Sequence, residues 1–514
     1  MDLLLGIDVG TTSLKVGLFK PDGSCLGIER EEYPLETPSA EKAQVDAHLY
    51  WETCVRTVRK LVKSTQVDIH HIAALAVSSQ GETIIALDDS GEPLYPALVW
   101  LDNRATIQAE KLADRFQSQV YRVTGISEII PTWSGCKIWW LQENEPDVFQ
   151  KTAKFLLVQD YLIYKLTGKF ATDGSISCTT LYFDINQHCW WQEVLDAIGI
   201  NRGQLPDIFE PGSVIGSIQS NAAQELGLST ATKVVNGGMD QAAGAIGAGN
   251  IQEGTVSETT GAALAIQVTV NDPDIDPQRS IPIYMHSVPH RYLLVPVCPT
   301  AGMALKWFRD QFAETEIRNA TAQHSDSYDL LTKMAESVPA GCDGLLMLPH
   351  LMGSFSPDIN PDARGSFTGF SLRHTGAHFV RALLEGVAFM LKRNIEYIER
   401  TGIEIKEIIS SGGGSRSHLW NQIKANACNK AVVILKQEEA ALLGDAIIAG
   451  TAIGVFSSIE EGCQRMIATA QSFQPNEEKR AYIQPYRNYC KLDECLGVFY
   501  KHVYGNNKDI ERKE

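Results

Sequence analysis

The chain has no run of 18 apolar residues, no Cys-x-x-Cys pair, no Gly-x-x-x-x-Gly-Lys-Ser/Thr motif and no basic block. Each absence removes a class of protein. Without a long apolar run no membrane-spanning helix is expected. The first residues lack a basic start and are interrupted by Asp8, so they do not read as a secretory signal. Eleven cysteines, an odd number scattered over 514 residues, read as reduced thiols and not as a disulfide frame or a zinc site. A formal net charge of −17 argues against a partner whose phosphates must be neutralised. The one dense charge cluster, from Lys508 to Glu514, reads as a frayed, solvated end. The expectation is a cytoplasmic protein with no nucleic-acid and no membrane partner.

What is present is a soluble globular composition, 44% hydrophobic and 21% charged, on a chain too long for one ordinary core. Residues 3–9 form a continuously apolar strand, and Leu14, Val16 and Leu18 alternate as a second. Trp51, Val55, Val58 and Val62 fall at helical spacing, and a strand follows over 72–77. The α/β pattern restarts at 233–236, where Gly237-Gly238-Met239-Asp240 leads into a helix rich in alanine and glycine. Residues 254–269, GTVSETTGAALAIQVT, have the same strand, hydroxyl-and-glycine tip and strand as residues 3–23, which suggests two halves with related hairpins. The main boundary is placed near 248–256.

Four turns follow predicted strands: Gly10-Thr11-Thr12, Gly237-Gly238, Thr259-Thr260-Gly261 and Gly412 to Gly414. Each is open to two readings, a plain strand-ending turn or a cradle of backbone N–H groups for an anion. Four together point to phosphate binding of a non-P-loop kind, and the triple glycine opening a helix is favoured by the helix dipole. Asp8 ends a buried strand, where a carboxylate needs turn N–H groups or a metal; one acid beside phosphate oxygens suits Mg²⁺. Asp240 reads either as an N-cap or as the carboxylate that takes a hydroxyl proton in phosphoryl transfer. Gln80, Glu82, Asp102, Asn103 and Arg104 offer groups for a polyhydroxylated ligand, or else form a surface loop with an Asp–Arg pair.

In order along the chain, GIDVGTTSLKVGLF, VWLDNRA, GGMDQAAGAIGAG, TTGAA and SSGGGSRS resemble the FGGY carbohydrate kinases over residues 3–455. SGCKIWWLQEN at 134–144, with Lys137 and Trp140, is similar to that family's N-domain signature, and GSFTGFSLRHTGAHFVRALLE at 365–385 to its C-domain signature. The resemblance implies an α/β fold of two actin/hexokinase-like (ribonuclease H-like) domains, each a mixed sheet flanked by helices, with a cleft between them. The implied division is a sugar-binding domain at 1–250, a nucleotide-binding domain at 251–455 and a helical appendage at 456–514.

It also implies ATP and Mg²⁺ in the cleft, with Asp240 as catalytic base and Asp8 on the metal side. Gly10, Thr11, Thr12 and Lys15 fall on the first phosphate turn, Thr260 and Gly261 on the second, and Gly413 and Gly414 on the adenosine side. Ser79, Gln80, Glu82, Asp102, Arg104 and Gln241 fall on the sugar side. Thr259 stands where the family often has glycine. Segment lengths and VWLDNR are most similar to xylulokinase-like members, yet Ser79-Gln80 replaces their Met-His. Gly81 stands where glycerol kinases carry arginine, and Thr132 where they carry a glycerol-contacting tyrosine. A ketopentose such as D-xylulose is expected first, then gluconate, another ketose or a sugar alcohol; a homodimer is left open. Rival expectations are a non-catalytic nucleotide and sugar switch, against which the joint presence of Asp8 and Asp240 argues, and a sugar-independent ATPase.

Overall fold

The computed structural model describes residues 2–504; the charged cluster from Lys508 onward lies outside them. Two mixed sheets organise the chain. The first has the strand order Val214–Ser217, Lys233–Met239, Ile72–Ser79, Leu3–Val9, Ser13–Phe19, Cys25–Glu32. Its three central strands are parallel and the outer pairings antiparallel. Leu3–Val9 is buried at every position, as a strand covered by helices on both faces must be.

The second sheet repeats the pattern with Tyr292–Leu294, Leu264–Val270, Thr255–Thr260, Glu407–Ser411, Ala431–Leu435 and Thr469–Phe473. Its three central strands are again parallel and its flanking pairs antiparallel. The repeat hinted at by two hairpins therefore extends to six strands. Ile283–Met285 and Val297–Cys298 are additions at one edge.

The segment expected as a helical appendage is built into the second half instead. It is helical at Ile459–Met466 and Ile483–Tyr504, but between these it supplies Thr469–Phe473 to the sheet edge. Four of those five strand residues are exposed, so an edge strand with no apolar alternation was invisible to a periodicity argument.

Two helices cross where the halves meet. Asp240–Gly247 follows the last parallel strand of the first half, and Ala440–Ala452 follows that of the second. Leu442, Ala446, Ile447 and Ala449 of the latter pack with Leu4, Ala74, Ala76 and Val235 of the first sheet. Ala242 and Ala245 of the former join the core containing Val256 and Leu264 of the second sheet. The helices touch backbone to backbone, because a Cβ at Gly247 would collide with the Ala440 carbonyl oxygen and one at Gly444 with that of Ala243.

Candidate active site

The parallel strands Leu3–Val9, Ile72–Ser79 and Lys233–Met239 end at one edge of the first sheet, the edge at which open α/β sheets bind ligands. Three carboxylates gather there. Asp8, one residue before the end of its strand, is 8% exposed, and its Oδ1 has no hydrogen-bond partner among the described residues. Burial pushes its carboxyl up to about 6, with Lys15 opposing and Glu439 adding to the rise. Asp240 is the first residue of its helix and half-buried; its Oδ1 accepts the Gln241 N–H at 2.7 Å. Burial, and next the charge of Asp8, hold it well above the usual carboxylate range.

The third carboxylate, Asp445, comes from the crossing helix Ala440–Ala452 and is fully buried. Its Oδ2 accepts from Ser78 Oγ at 2.9 Å, while its Oδ1 has no partner among the described residues. Burial and the charge of Asp8 raise it well above the ordinary value. Gly237 is required beside it, since a Cβ there would come within 2.6 Å of Asp445 Oδ1.

Among the described residues no three His, Cys, Asp or Glu side chains are grouped to hold a metal by themselves. The donor set, an orphaned buried oxygen on Asp8 with other acids nearby, fits a hard cation that keeps most of its shell as water and phosphate oxygens, as Mg²⁺ does.

Beside the acids lies a polar lining. Gln80 Oε1 and Gln241 Oε1 are buried without partners among the described residues, two acceptors with bonding capacity left over. Gln80 Nε2 reaches Tyr50 Oη at 3.3 Å. Glu82 takes a positive φ of 56°. Its N–H donates to Thr179 Oγ1 at 3.1 Å, and its carbonyl accepts from Ser134 Oγ at 2.9 Å and Lys137 Nζ at 3.3 Å. Burial raises its carboxyl against the pull of Lys137, and its charge is felt by Asp240 and by Tyr284 of the second half. Burial lowers Lys137, opposed by Glu82 and Asp102. Gly81 has no room for a larger residue, because a Cβ would sit 2.8 Å from Thr179 Oγ1.

Three residues expected on the sugar side turn inward. Asp102 has no accessible side-chain surface and forms an ion pair with Arg104 at 2.8 Å, while its Oδ2 also accepts the Ala43 N–H at 2.7 Å. Arg104 adds Gln44 Oε1 at 2.9 Å and stacks over Trp140. Both are spent on the scaffold, so the Asp–Arg alternative holds, though buried and not at the surface. Ser79 is likewise buried, its Oγ donating to the Gln80 carbonyl and accepting the Gln159 N–H.

On the phosphate side, Gly10 N–H closes the first hairpin on Ser13 O at 3.0 Å and Gly10 O accepts from Tyr33 Oη, leaving Thr11 half-buried and Thr12 exposed at the tip. Thr11 Oγ1 accepts from Trp100 Nε1 at 2.8 Å. Lys15, opposite Asp8 in register, pairs across the halves with Glu439 at 2.5 Å. In the second half a cavity of about 370 Å³ is lined by Thr260, Gly261, Gly302, Gly413, Gly414 and Trp420, among others. The second turn and the glycine loop, far apart in sequence, thus meet in one cavity. The Thr260 hydroxyl faces away from it, donating to Glu258 Oε2 at 2.7 Å.

Asp445 and Tyr284 were missed by sequence reasoning. For Asp445 a signal existed: it is the only charged residue in AALLGDAIIAGTA, and a lone acid in an apolar helix needs a partner or a purpose. Tyr284 sits in a three-residue strand with no local mark.

Comparison with known proteins agrees with the two-half fold. The N-terminal domain of the FGGY family of carbohydrate kinases matches residues 3–247 and its C-terminal domain residues 266–453. A xylulose kinase of Staphylococcus epidermidis is 31% identical over 492 residues, covering 94% of this chain and 95% of that one. A gluconokinase of Bacillus subtilis is 30% identical over 511 residues, covering 99% and 98%. Among solved structures, a ligand-bound xylulose kinase from Lactobacillus acidophilus superposes with a TM-score of 0.88 at 28% identity, over 98% of this chain and all (100%) of that one. With two domain matches spanning most of its length and two sheets of the same strand pattern beneath them, the chain belongs to the FGGY family of carbohydrate kinases.

Proposed function

We propose that this carbohydrate kinase transfers the γ-phosphoryl group of ATP to a hydroxyl of a small neutral sugar or polyol, with a ketopentose such as D-xylulose as the first candidate. The observation that carries the reading is the set of unpaired buried oxygens on Gln80, Gln241 and Asp8 around the raised carboxyl of Asp240. Asp240 accepts the proton of the attacking hydroxyl, and its raised pKa brings its basicity toward that needed near neutral pH. Gln80, Glu82 and Gln241 orient the substrate hydroxyls. The N–H groups of the Gly10–Thr12 and Gly261 turns hold phosphate oxygens, Lys15 supplies a nearby positive charge, and Gly413 and Gly414 border the adenosine. Asp8 would hold Mg²⁺, which when bound neutralises charge spreading over the phosphoryl oxygens. With these roles the sugar hydroxyls fall to the first domain, 1–250, and the adenosine side to the second, 251–455, while the phosphates lie between turns of both. Eleven unpaired cysteines support a reducing, cytoplasmic setting, and among the described residues no helix is long and apolar enough to cross a membrane.

Gluconate is the second reading, favoured by the Bacillus gluconokinase relative. A coupled ADP-release screen over xylulose, ribulose, gluconate, xylitol, erythritol and glycerol decides between them. The expected result is a specificity ratio favouring a ketopentose. A preference for gluconate replaces the first reading by the second, and no ADP release with any compound despite ATP binding sinks the kinase reading for both.

A further inference from the structure

The reading above leaves one buried charged cluster unused. Lys424 lies on the helix His418–Cys428 and Glu258 on the strand Thr255–Thr260, and neither side chain has accessible surface. Lys424 Nζ donates to Glu258 Oε1 at 2.6 Å, to Thr260 Oγ1 at 2.9 Å and to Ser410 Oγ at 3.2 Å. These use all three of its donors. Thr260 Oγ1 donates to Glu258 Oε2 at 2.7 Å, and Ser410 Oγ donates to Glu258 Oε1. The knot is closed, with every hydroxyl both giving and receiving.

A buried ion pair of this kind is commonly no more stabilising than two apolar side chains of the same size, so stability alone gives no reason for it. What it does is fix geometry. Thr260 precedes Gly261 at the tip of the second turn. Gly412 and Gly414 press directly on it: a Cβ at Gly412 would come within 2.9 Å of Thr260 O, and one at Gly414 within 2.5 Å of Thr260 Cγ2. The Lys424 ammonium also lies 5.4 Å from the ring centre of Trp420, which lines the same cavity. One ammonium thus ties together three walls of the 370 Å³ cavity: the turn at 260–262, the glycine loop at 412–414 and the Trp420 ring.

We infer that Lys424 and Glu258 are positioning residues for the nucleotide, holding the second turn and the glycine loop at the separation at which their backbone groups engage it together. This rests on the reading that the cavity takes ATP. Neither residue touches the nucleotide; they act through Thr260, whose hydroxyl is consumed in the knot and is unavailable to a phosphate oxygen.

The test replaces the pair by apolar residues of similar length, Glu258→Leu with Lys424→Met, which removes both charges and strands neither. Binding of a non-hydrolysable ATP analogue with Mg²⁺, followed by calorimetry and by tryptophan fluorescence, is measured beside thermal unfolding and steady-state kinetics. The expected result is a dissociation constant and an ATP KM raised about tenfold, with the sugar KM and the kcat at saturating ATP within about threefold of wild type. Ser410→Ala, which removes a hydroxyl of the knot that does not line the cavity, is expected to show the same split and serves if the double variant does not fold. Wild-type ATP affinity in these variants overturns the inference, as does a parallel loss in both substrates, which would mark a purely structural pair. Failure of the wild-type protein to bind the analogue overturns the nucleotide reading itself, and the inference with it.

Discussion

The two halves share a strand order, and each places an acid near the end of its first strand, in register with a serine of the parallel neighbour: Asp8 with Ser78, Glu258 with Ser410. From there they diverge. Glu258 faces the helix His418–Cys428 and is paired by Lys424 from it. Asp8 shares a strand face with Gly6, against the crossing helix, whose nearest ionisable contribution there is another acid, Asp445. Its cationic neighbour Lys15 is shared with Glu439, to which it is paired. An acid given a fixed counter-charge becomes scaffold. An acid denied one, and kept among other acids, is a place for a charge that comes and goes. Among the described residues the acid of the second half is therefore fully paired, while the first half keeps unpartnered carboxylate oxygens on Asp8 and Asp445.

The comparison breaks most sharply at Asp240, the reserve acid assigned the proton. Asp240→Asn should lower kcat by about a thousandfold or more in the ADP-release assay while leaving ATP binding by calorimetry intact; retained turnover would remove it from the base role. Next comes an attempt to put Glu258 in the position of Asp8. Lys424→Met alone strands a buried carboxylate and should cost about 3–5 kcal/mol in denaturant unfolding, whereas the paired apolar replacement, which leaves only the Thr260 and Ser410 hydroxyls without their acceptor, should cost less.

The converse variant, Asp8→Asn, should lower kcat about a hundredfold and abolish the rise in melting temperature caused by Mg²⁺. It should also alter the pH profile of stability. Because the folded pKa of Asp8 is raised to about 6, its favourable contribution is fully present below the ordinary value of 3.8 and is lost as pH rises through 6. Without magnesium the Asp8 contribution should make the wild type melt lower at pH 7.5 than at pH 5, and Asp8→Asn should flatten that slope. Smallest of all, Arg104→Lys should leave the sugar KM within about threefold, since the guanidinium is spent on Asp102, while Gln241→Ala should raise it about tenfold. The reverse order of these two would return Arg104 to the sugar side.

Much of the site was legible because it is local. Asp8 and the Gly10–Thr12 turn lie within five residues, and Asp240 comes two residues after its glycine pair, so strand ends and turn chemistry pointed to them. Asp102 and Arg104 show where locality fails. Their spacing allows a ligand set or an ion pair, and only the depth of burial, set by Ala43, Gln44 and Trp140 elsewhere in the chain, decides. Asp445 and Lys424 show the same limit from the other side. Each is a lone charge on a helix whose remaining buried face is apolar or amide, and its meaning comes from a strand more than 150 residues away. The fold was readable as two related halves, but the strand Thr469–Phe473 was hidden by its exposure at the edge.

The crossed helices have a consequence for how such a chain can be divided. Each half stores part of its own interior on the other's polypeptide: the first sheet is covered by Ala440–Ala452, and the second core takes Ala242 and Ala245. A protein severed in the connection at residues 248–254 would separate the first sheet from the helix Ala440–Ala452 packed on it, and Ala242 and Ala245 from the core they share with Val256 and Leu264. Neither piece is a finished domain, and the pair should regain structure only by finding each other, as complementing fragments and not as independent modules.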